Sequence, residues 1–327
     1  MTNQTLQRAT VDDYLGDGAR RFFSAGYRRV DYTFGAVSVS VPGAGHATVA
    51  TTVGLGYPGD WSKKAAGVDL RPHLSTIDAI LLGVQLAEMC LVAAFRPDPA
   101  AHRAMWVRRV KIRAGQRPEE DLGELPLGGR LRATERVGDE FVSTVDCQVG
   151  AMRVRCEVVH TGVAIHTGRT TLSDPDALLG PADQRYYGTG FARATHRIDD
   201  LAVDGVRASG TVRLQQSDAD QGIEGAYAPA VTMVDAFATG LQLAQILLYE
   251  LDGMRRADSN TLWMRSTTLD VRDPRRPADG PLALTTGLDN SELIAMDGGR
   301  WRTADVVTDL AGTTFTCAVA HALPTAE

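Results

Sequence analysis

The sequence predicts an α+β protein built from two similar halves, and three observations support this fold class. Short blocks of sequence recur in the same order at a nearly constant spacing. Each half contains one long and almost wholly apolar helix, and each helix is followed by stretches in which apolar and polar residues alternate. Alternation with a period of two is typical of β-strands, and an apolar helix must be surrounded by protein. The 327 residues suit two domains, since a domain takes about 150 residues.

The repeat is clearest in two blocks of sequence. Residues 15–30 read LGDGARRFFSAGYRRV and residues 179–194 read LGPADQRYYGTGFARA, with identities and aromatic exchanges at a shift of 164. Residues 78–87, DAILLGVQLA, match residues 235–244, DAFATGLQLA, at six of ten positions. Because fixed-period similarity marks a duplicated structural unit, we expect both halves to share one topology.

The duplication sets the predicted domain boundaries. We place the N-terminal repeat at 10–170 and the C-terminal repeat at 176–325. Asp174 and Pro175 lie between them, and Asp-Pro is typical of a turn.

Each repeat is predicted to contain one buried helix and an antiparallel sheet. The helices are expected over 76–94 and 233–251, and each begins with a capping-box pattern, Ser-x-x-Asp in the first and Thr-x-x-Asp in the second. Val-rich alternating stretches at 37–41 and 47–53 precede the first helix. The strands predicted after the two helices are Trp106–Ile112, Gly129–Arg136, Phe141–Val149, Met152–Val159, Trp263–Val271, Leu282–Leu288, Trp301–Thr308 and Thr314–Ala320. A buried helix wrapped by such a sheet is the hotdog layout, so the chain is predicted to be a double hotdog with adjacent helices and one continuous sheet.

Composition and charge exclude several classes of protein. The net charge is −6, with 34 basic and 40 acidic residues, and no basic tract suggests a nucleic-acid partner. The apolar stretch Val231–Leu248 contains Asp235, which favours a buried helix over a membrane span. With four widely spaced cysteines and no signal-peptide pattern, we expect a cytoplasmic protein with reduced thiols. The sequence GLGYPG at 54–59 lacks a following helix, so no nucleotide cofactor is expected.

The candidate catalytic residues lie where the two helices begin. Asp78 and Asp235 are both in capping boxes, and a carboxylate at the mouth of an apolar helix is also placed to meet an acyl chain. Gln85 and Gln242 lie two turns further along the same helix faces and are candidate substrate-binding residues. His73, just before the first helix, is a candidate general base, although a solvated loop histidine remains the alternative.

The first repeat's Trp-x-Arg sequence recurs in the second, with the arginines at Arg108 and Arg265. The tryptophans are expected to pack under the helices, and the arginines could contact the phosphate of a carrier's phosphopantetheine arm. A repeated Cys-x-x-x-His sequence does not predict a metal site, because residues four apart on a strand lie about 13 Å apart.

The sequence at 14–32, YLGDGARRFFSAGYRRVDY, and the helix motif DAILLGVQLAE resemble the avirulence-D (AvrD) family of syringolide-forming proteins. The resemblance implies joining of a β-ketoacyl chain to a ketose sugar. A more distant similarity is to the A-factor biosynthesis proteins, which are double hotdogs that transfer a β-ketoacyl group from acyl carrier protein to a hydroxyl. The D-A-x-x-x-x-x-Q helix also resembles polyketide synthase dehydratase domains, but the H-x-x-x-G-x-x-x-x-P motif of those domains is missing, which disfavours dehydration.

The resulting prediction is an acyltransferase that moves a β-ketoacyl group from acyl carrier protein or CoA to a sugar-like hydroxyl, toward a lactone or butenolide signal. An aspartate is expected to accept the hydroxyl proton, with Asp235 ranked slightly ahead of Asp78. A tunnel lined by both halves should open beside one of these aspartates, because a fatty chain needs a dry channel. The alternatives are a hotdog dehydratase, a thioesterase, or a non-catalytic binder of an acyl signal. A homodimer is a possible oligomeric state.

Overall fold

One antiparallel sheet of 15 strands runs through the whole protein and curls around two long helices. The computed structural model describes residues 6–43, 46–60, 71–162, 166–256, 259, 261–296 and 299–324. The strands are β1 Leu6–Thr10, β2 Asp31–Phe34, β3 Val37–Gly43, β4 His46–Gly56, β5 Trp106–Arg113, β6 Leu125–Val137, β7 Glu140–Val149, β8 Met152–His160, β9 Gly168–Leu172, β10 Thr195–Asp204, β11 Arg207–Gln215, β12 Trp263–Val271, β13 Pro281–Met296, β14 Gly299–Leu310 and β15 Thr313–Ala322. The helices are α1 Asp12–Leu15, α2 Thr76–Phe95, α3 Pro99–Arg103, α4 Asp176–Leu179 and α5 Met233–Asp252.

The two long helices, α2 and α5, begin and end within one residue of their predicted bounds. Both capping boxes form, so the hydroxyl oxygen at each N-cap accepts a hydrogen bond from the backbone of the aspartate three residues on. The helices are buried along almost their whole length, as their apolar sequences require. They pack side by side inside the sheet.

The sheet has the same strand order on either side of its centre. From the centre outward, the first half runs β5-β8-β7-β6-β4-β3-β9, and the second half runs β12-β15-β14-β13-β11-β10-β1. β5 and β12 pair antiparallel at the middle, with Val110 opposite Leu269, and join the halves into one sheet. The predicted double hotdog is therefore confirmed.

The outermost strand of each half comes from the other repeat. β1 leads into α1 of the first repeat but pairs with β10 of the second half, and β9 leads into α4, the equivalent helix of the second repeat, but pairs with β3 of the first half. The two halves thus exchange one edge strand each. The predicted boundaries 10–170 and 176–325 remain a prediction.

Two equivalent glycines bring the helices close to the sheet. A Cβ atom on Gly83 of α2 would lie 2.6 Å from Val154 Cγ1, and one on Gly240 of α5 would lie 2.5 Å from Thr308 Cγ2. Since real side-chain contacts are longer, each glycine fixes a close helix–sheet approach.

Among the described residues, one helix, Thr76–Phe95, is long and apolar enough to cross a bilayer by length and composition. Within the fold, 89% of its most apolar window is buried by the surrounding protein. The helix is thus part of the core.

All four cysteines are buried, and none forms a disulfide with another.

Candidate active site

A cavity of about 130 Å³ opens at the start of α2, between the two halves. The first half contributes residues 73–76, the segment at 21–23 and the loop after β5, while the second half contributes Gln245, Arg256 and the start of β12. Apolar side chains such as Phe22 and Trp263 form much of the wall. A cavity of this size holds a group about as large as benzene.

Asp78 lies directly behind this cavity and has no solvent exposure. Its carboxylate accepts hydrogen bonds from the Ser75 hydroxyl at 2.6 Å and the Ser75 amide at 2.9 Å. The hydroxyls of Tyr32, at 2.5 Å, and of Tyr57 donate to the same carboxylate. Burial, reinforced by the nearby negative charge of Asp78, raises the pKa of both tyrosines well above the usual value. The tyrosines therefore stay protonated as donors, and Ser75 links Asp78 to the cavity wall.

His73 lines the cavity next to Ser75. Its Nδ1 lies 3.3 Å from the carbonyl oxygen of Arg71. Because a carbonyl only accepts, this contact favours the tautomer with the proton on Nδ1 and the lone pair on Nε2. Such a histidine can accept a proton from a bound hydroxyl.

Arg21 forms another part of the wall and is only 4% exposed. One guanidinium nitrogen donates to Gln242 Oε1 at 2.8 Å and another pairs with Asp12, while Nε is buried without a hydrogen-bond partner among the described residues. Burial lowers the pKa of Arg21, partly offset by the Asp12 charge. Arg256 lines the same cavity, as do Arg117 and one carboxylate, Glu119.

The equivalent space at the start of α5 is filled by buried charged side chains. Arg185, the counterpart of Arg21, lies 3.9 Å from the Glu88 carboxylate, and Glu88 also accepts a 2.7 Å hydrogen bond from His102. Next to them, Glu224 accepts bonds from Tyr187 and from the backbone amide of Val107. The counterpart of His73 is Ala230, which cannot act as a base.

Asp235 sits in this packed region and is 1% exposed. It accepts hydrogen bonds from Thr232 and from the side-chain amide of Gln216 at 3.1 Å. Burial raises the pKa of Asp235, and these hydrogen bonds oppose the shift. The two predicted aspartates thus occupy equivalent positions in different surroundings, and the catalytic role of either remains a prediction.

The predicted glutamine pair is buried in both helices. Gln242 donates to the carbonyl oxygen of Phe23 at 3.2 Å and accepts from Arg21, so it holds the first half's aromatic segment against α5. It also lies 2.8 Å from His196 Nε2. Gln85 lies at the equivalent place in α2. Binding of substrate by either residue remains a prediction.

Both repeated arginines, Arg108 and Arg265, sit at β-bulges, where the strand register shifts. Bulges redirect side chains and are common beside active sites. Arg108 pairs with Glu157 at 2.8 Å and faces a separate groove. Arg265 is exposed, and its carbonyl oxygen accepts from the amide of Ala114 at the cavity rim. The two tryptophans also differ, because Trp106 is buried and Trp263 is 37% exposed.

The repeated cysteine and histidine residues have separate surroundings. His160 bonds to the Ser143 hydroxyl at 2.8 Å, and His321 lies 3.2 Å from the Asp252 carboxylate. Within the described ranges, no group of three metal-ligating side chains is close enough to hold an ion.

Sequence reasoning missed four residues of this site: Arg21, Tyr32, Tyr57 and Arg256. Arg21 carried a signal, because it recurs as Arg185 in the duplicated opening block. The tyrosines carried none, since their partner Asp78 is 46 and 21 residues away along the chain.

The fold defines this protein as a double hotdog, with a cavity at the start of α2 and buried charged side chains at the equivalent position beside α5. The chain belongs to the AvrD family, because the family model for Pseudomonas avirulence D protein matches residues 7–324. No curated protein matches the sequence.

Several solved structures are similar in fold at low identity. The tesB protein of Mycobacterium avium subsp. paratuberculosis is 9% identical with a TM-score of 0.40, and the match covers 88% of this chain and 96% of that one. A 12:0-ACP thioesterase from Umbellularia californica is 14% identical with a TM-score of 0.40, covering 84% and 93%. A trans-AT polyketide synthase dehydratase domain from Brevibacillus brevis is 10% identical with a TM-score of 0.37, covering 88% and 96%.

Proposed function

We propose that this AvrD family protein is an acyltransferase that moves a β-ketoacyl group from a thioester to a hydroxyl of a small sugar or ketose. The observation that carries the proposal is the cavity at the start of α2, which combines apolar walls, His73 and the buried cation Arg21. An acyl chain requires the apolar wall, and a developing oxyanion requires nearby positive charge.

In the proposed reaction, the hydroxyl oxygen of the acceptor attacks the thioester carbonyl carbon and its proton passes to His73 Nε2. The first-turn amides of α2 and the Arg21 guanidinium stabilise the negative charge on the carbonyl oxygen. The carbon–sulfur bond then breaks, and the thiolate takes the proton from His73. The products are an ester and a free thiol, and no oxidant or reductant is consumed.

Asp78 has a positioning role in this proposal. Its carboxylate accepts two hydrogen bonds from Ser75 and one from each of Tyr32 and Tyr57, so it fixes the N-cap of α2 and keeps the first-turn amides directed toward the cavity. A proton reaching Ser75 can also be shared with Asp78, because their oxygens are 2.6 Å apart.

The test is incubation of the protein with a β-ketoacyl thioester and a panel of ketoses, followed by mass spectrometry of the products. An acylated ketose together with free thiol is the expected result. Free β-keto acid with every acceptor would instead identify a thioesterase. Conversion of a β-hydroxyacyl thioester to the enoyl thioester, with sugars ignored, would identify a dehydratase. Stoichiometric binding without any product would leave only an acyl-signal binder.

A further inference from the structure

Five exposed cations line a shallow groove of about 750 Å³ on the outer face of the first half's sheet. This basic patch consists of Lys111, Arg113, Arg130, Arg153 and Arg155. One carboxylate, Asp146, lies among them and pairs with Arg155 at 2.7 Å. The protein as a whole has a net charge of −6, so this local excess of positive charge runs against its overall balance.

The strand register places like charges directly opposite each other in the basic patch. Arg153 lies opposite Arg113, and Arg155 lies opposite Lys111, on the neighbouring strands β8 and β5. Like charges at opposed positions destabilise a sheet. Among the described residues, Lys111, Arg113 and Arg153 have no carboxylate partner within 4.0 Å to relieve this repulsion, whereas Arg130 lies opposite Asp146 on β7. An anionic partner would relieve it.

The basic patch borders the mouth of the cavity. Arg113 is followed directly by Ala114 and Gly115, and Arg153 is preceded by Met152, all of which line the cavity. Arg265 lies at the same rim through its backbone contact with Ala114. A partner seated on the basic patch would therefore have direct access to the acyl site.

We propose that the basic patch docks an acidic acyl carrier protein, whose phosphopantetheine arm enters the cavity beside Arg113. This inference rests on the proposed function and specifies the acyl donor. The cations extend across four strands, which is roughly 14 Å at the usual strand spacing. A wide groove that is open along its length and lined by several cations fits a charged protein face, whereas a free nucleotide requires a more enclosed site. Complementary charge of this kind accelerates and orients association.

The test measures binding of fluorescently labelled holo-acyl carrier protein, without an acyl chain, at low and high salt. The variant Arg113→Gln/Arg153→Gln is expected to weaken binding about tenfold and to reduce its salt dependence. The matched control is Arg197→Gln/Arg213→Gln, which removes the same charge from an exposed pair of opposed arginines in the second half. The control should bind the carrier like the wild type.

Equal weakening by both variants, or by neither, would overturn the proposal. Displacement of the labelled carrier by a random oligonucleotide at a lower concentration than unlabelled carrier requires would also overturn the proposal. So would an equal loss of turnover by the Arg113→Gln/Arg153→Gln variant with acyl-CoA and with acyl-carrier substrates. If the carrier binds through the basic patch but no thioester is turned over, the docking proposal stands and the acyltransferase proposal fails. If acyl-CoA is turned over but the carrier does not bind, the acyltransferase proposal stands and the docking proposal fails.

Discussion

The rings of Tyr27 and Phe191 stack with their centroids 6.3 Å apart and their planes 13° from parallel. The two residues occupy the same position of the repeat, 164 residues apart. When a residue contacts the equivalent residue of the other repeat, the contact lies on the pseudo-twofold axis that relates the two halves, as in a symmetric dimer interface. Both side chains are 1% exposed, so this contact is central to the joint between the halves.

Phe191→Ala should lower the free energy of unfolding by about 3–5 kcal/mol, because it leaves a large cavity at this axis. Urea denaturation measures the change. Leu293→Ala is the control, since Leu293 is 46% exposed and surface changes cost about 0.5 kcal/mol or less. A similar loss in both variants would contradict a special role for the axis.

Gly83→Ala should destabilise the protein by about 1–3 kcal/mol, because overpacking forces neighbouring atoms to move. The new methyl group would lie 2.6 Å from Val154 Cγ1. Val154→Ala removes that atom, so the double variant should be more stable than the sum of the two single losses predicts. Thermal and urea unfolding of all four proteins give the coupling energy, and strict additivity would count against the close contact.

His73→Gln should slow acyl transfer roughly a hundredfold or more if the imidazole is the general base. Product formation under single-turnover conditions separates this step from binding. His46→Gln is the matched control, because His46 is exposed at the start of β4, away from the residues lining the cavity. Wild-type rates in the His73 variant would remove the histidine from the mechanism.

Asp78→Asn and Asp235→Asn test which helix start is active. An asparagine can keep one acceptor oxygen toward the N-cap residue and donate its amide to a neighbouring hydroxyl, so both variants should fold. We expect Asp78→Asn to lower turnover at least about tenfold, because Asp78 orients the first turn beside the cavity. Asp235→Asn should leave turnover near the wild-type value. The reverse ranking would place the chemistry at α5, as the sequence alone suggested.

His196 should make the protein less stable in acid. Burial lowers the pKa of His196 to about 3, and the charges of Arg28 and Arg21 add to the shift. Between an unfolded pKa of about 6.5 and this value, the unfolded chain binds the proton and the folded protein does not, so the free energy of unfolding falls as pH falls. His196→Gln should flatten that dependence in urea titrations at pH values across this window. An unchanged slope would show that other groups cause the acid sensitivity.

The repeated sequence blocks predicted both helices, both capping boxes and most strands after them, because these elements depend on local periodicity. The exchange of β1 and β9 could not be predicted, since nothing in a short edge strand specifies its partner. The difference between the two helix starts depends on single substitutions at equivalent positions. Glu88 gives Arg185 a buried carboxylate, whereas the equivalent Gln245 leaves Arg21 beside a cavity. Sequence alone identified the equivalence but not which space would remain open.

The exchanged edge strands also bear on how the protein opens. β1 pairs with β10 of the second half but is followed at once by α1 and the segment carrying Arg21, which lines the cavity at the start of α2. Partial unfolding of the second half therefore releases β1 and loosens the segment that leads into the first half's cavity. In the same way, partial unfolding of the first half releases β9, which leads into the second half. Amide hydrogen exchange in the outer strands of both halves should then report one shared opening event, in which neither half fluctuates independently.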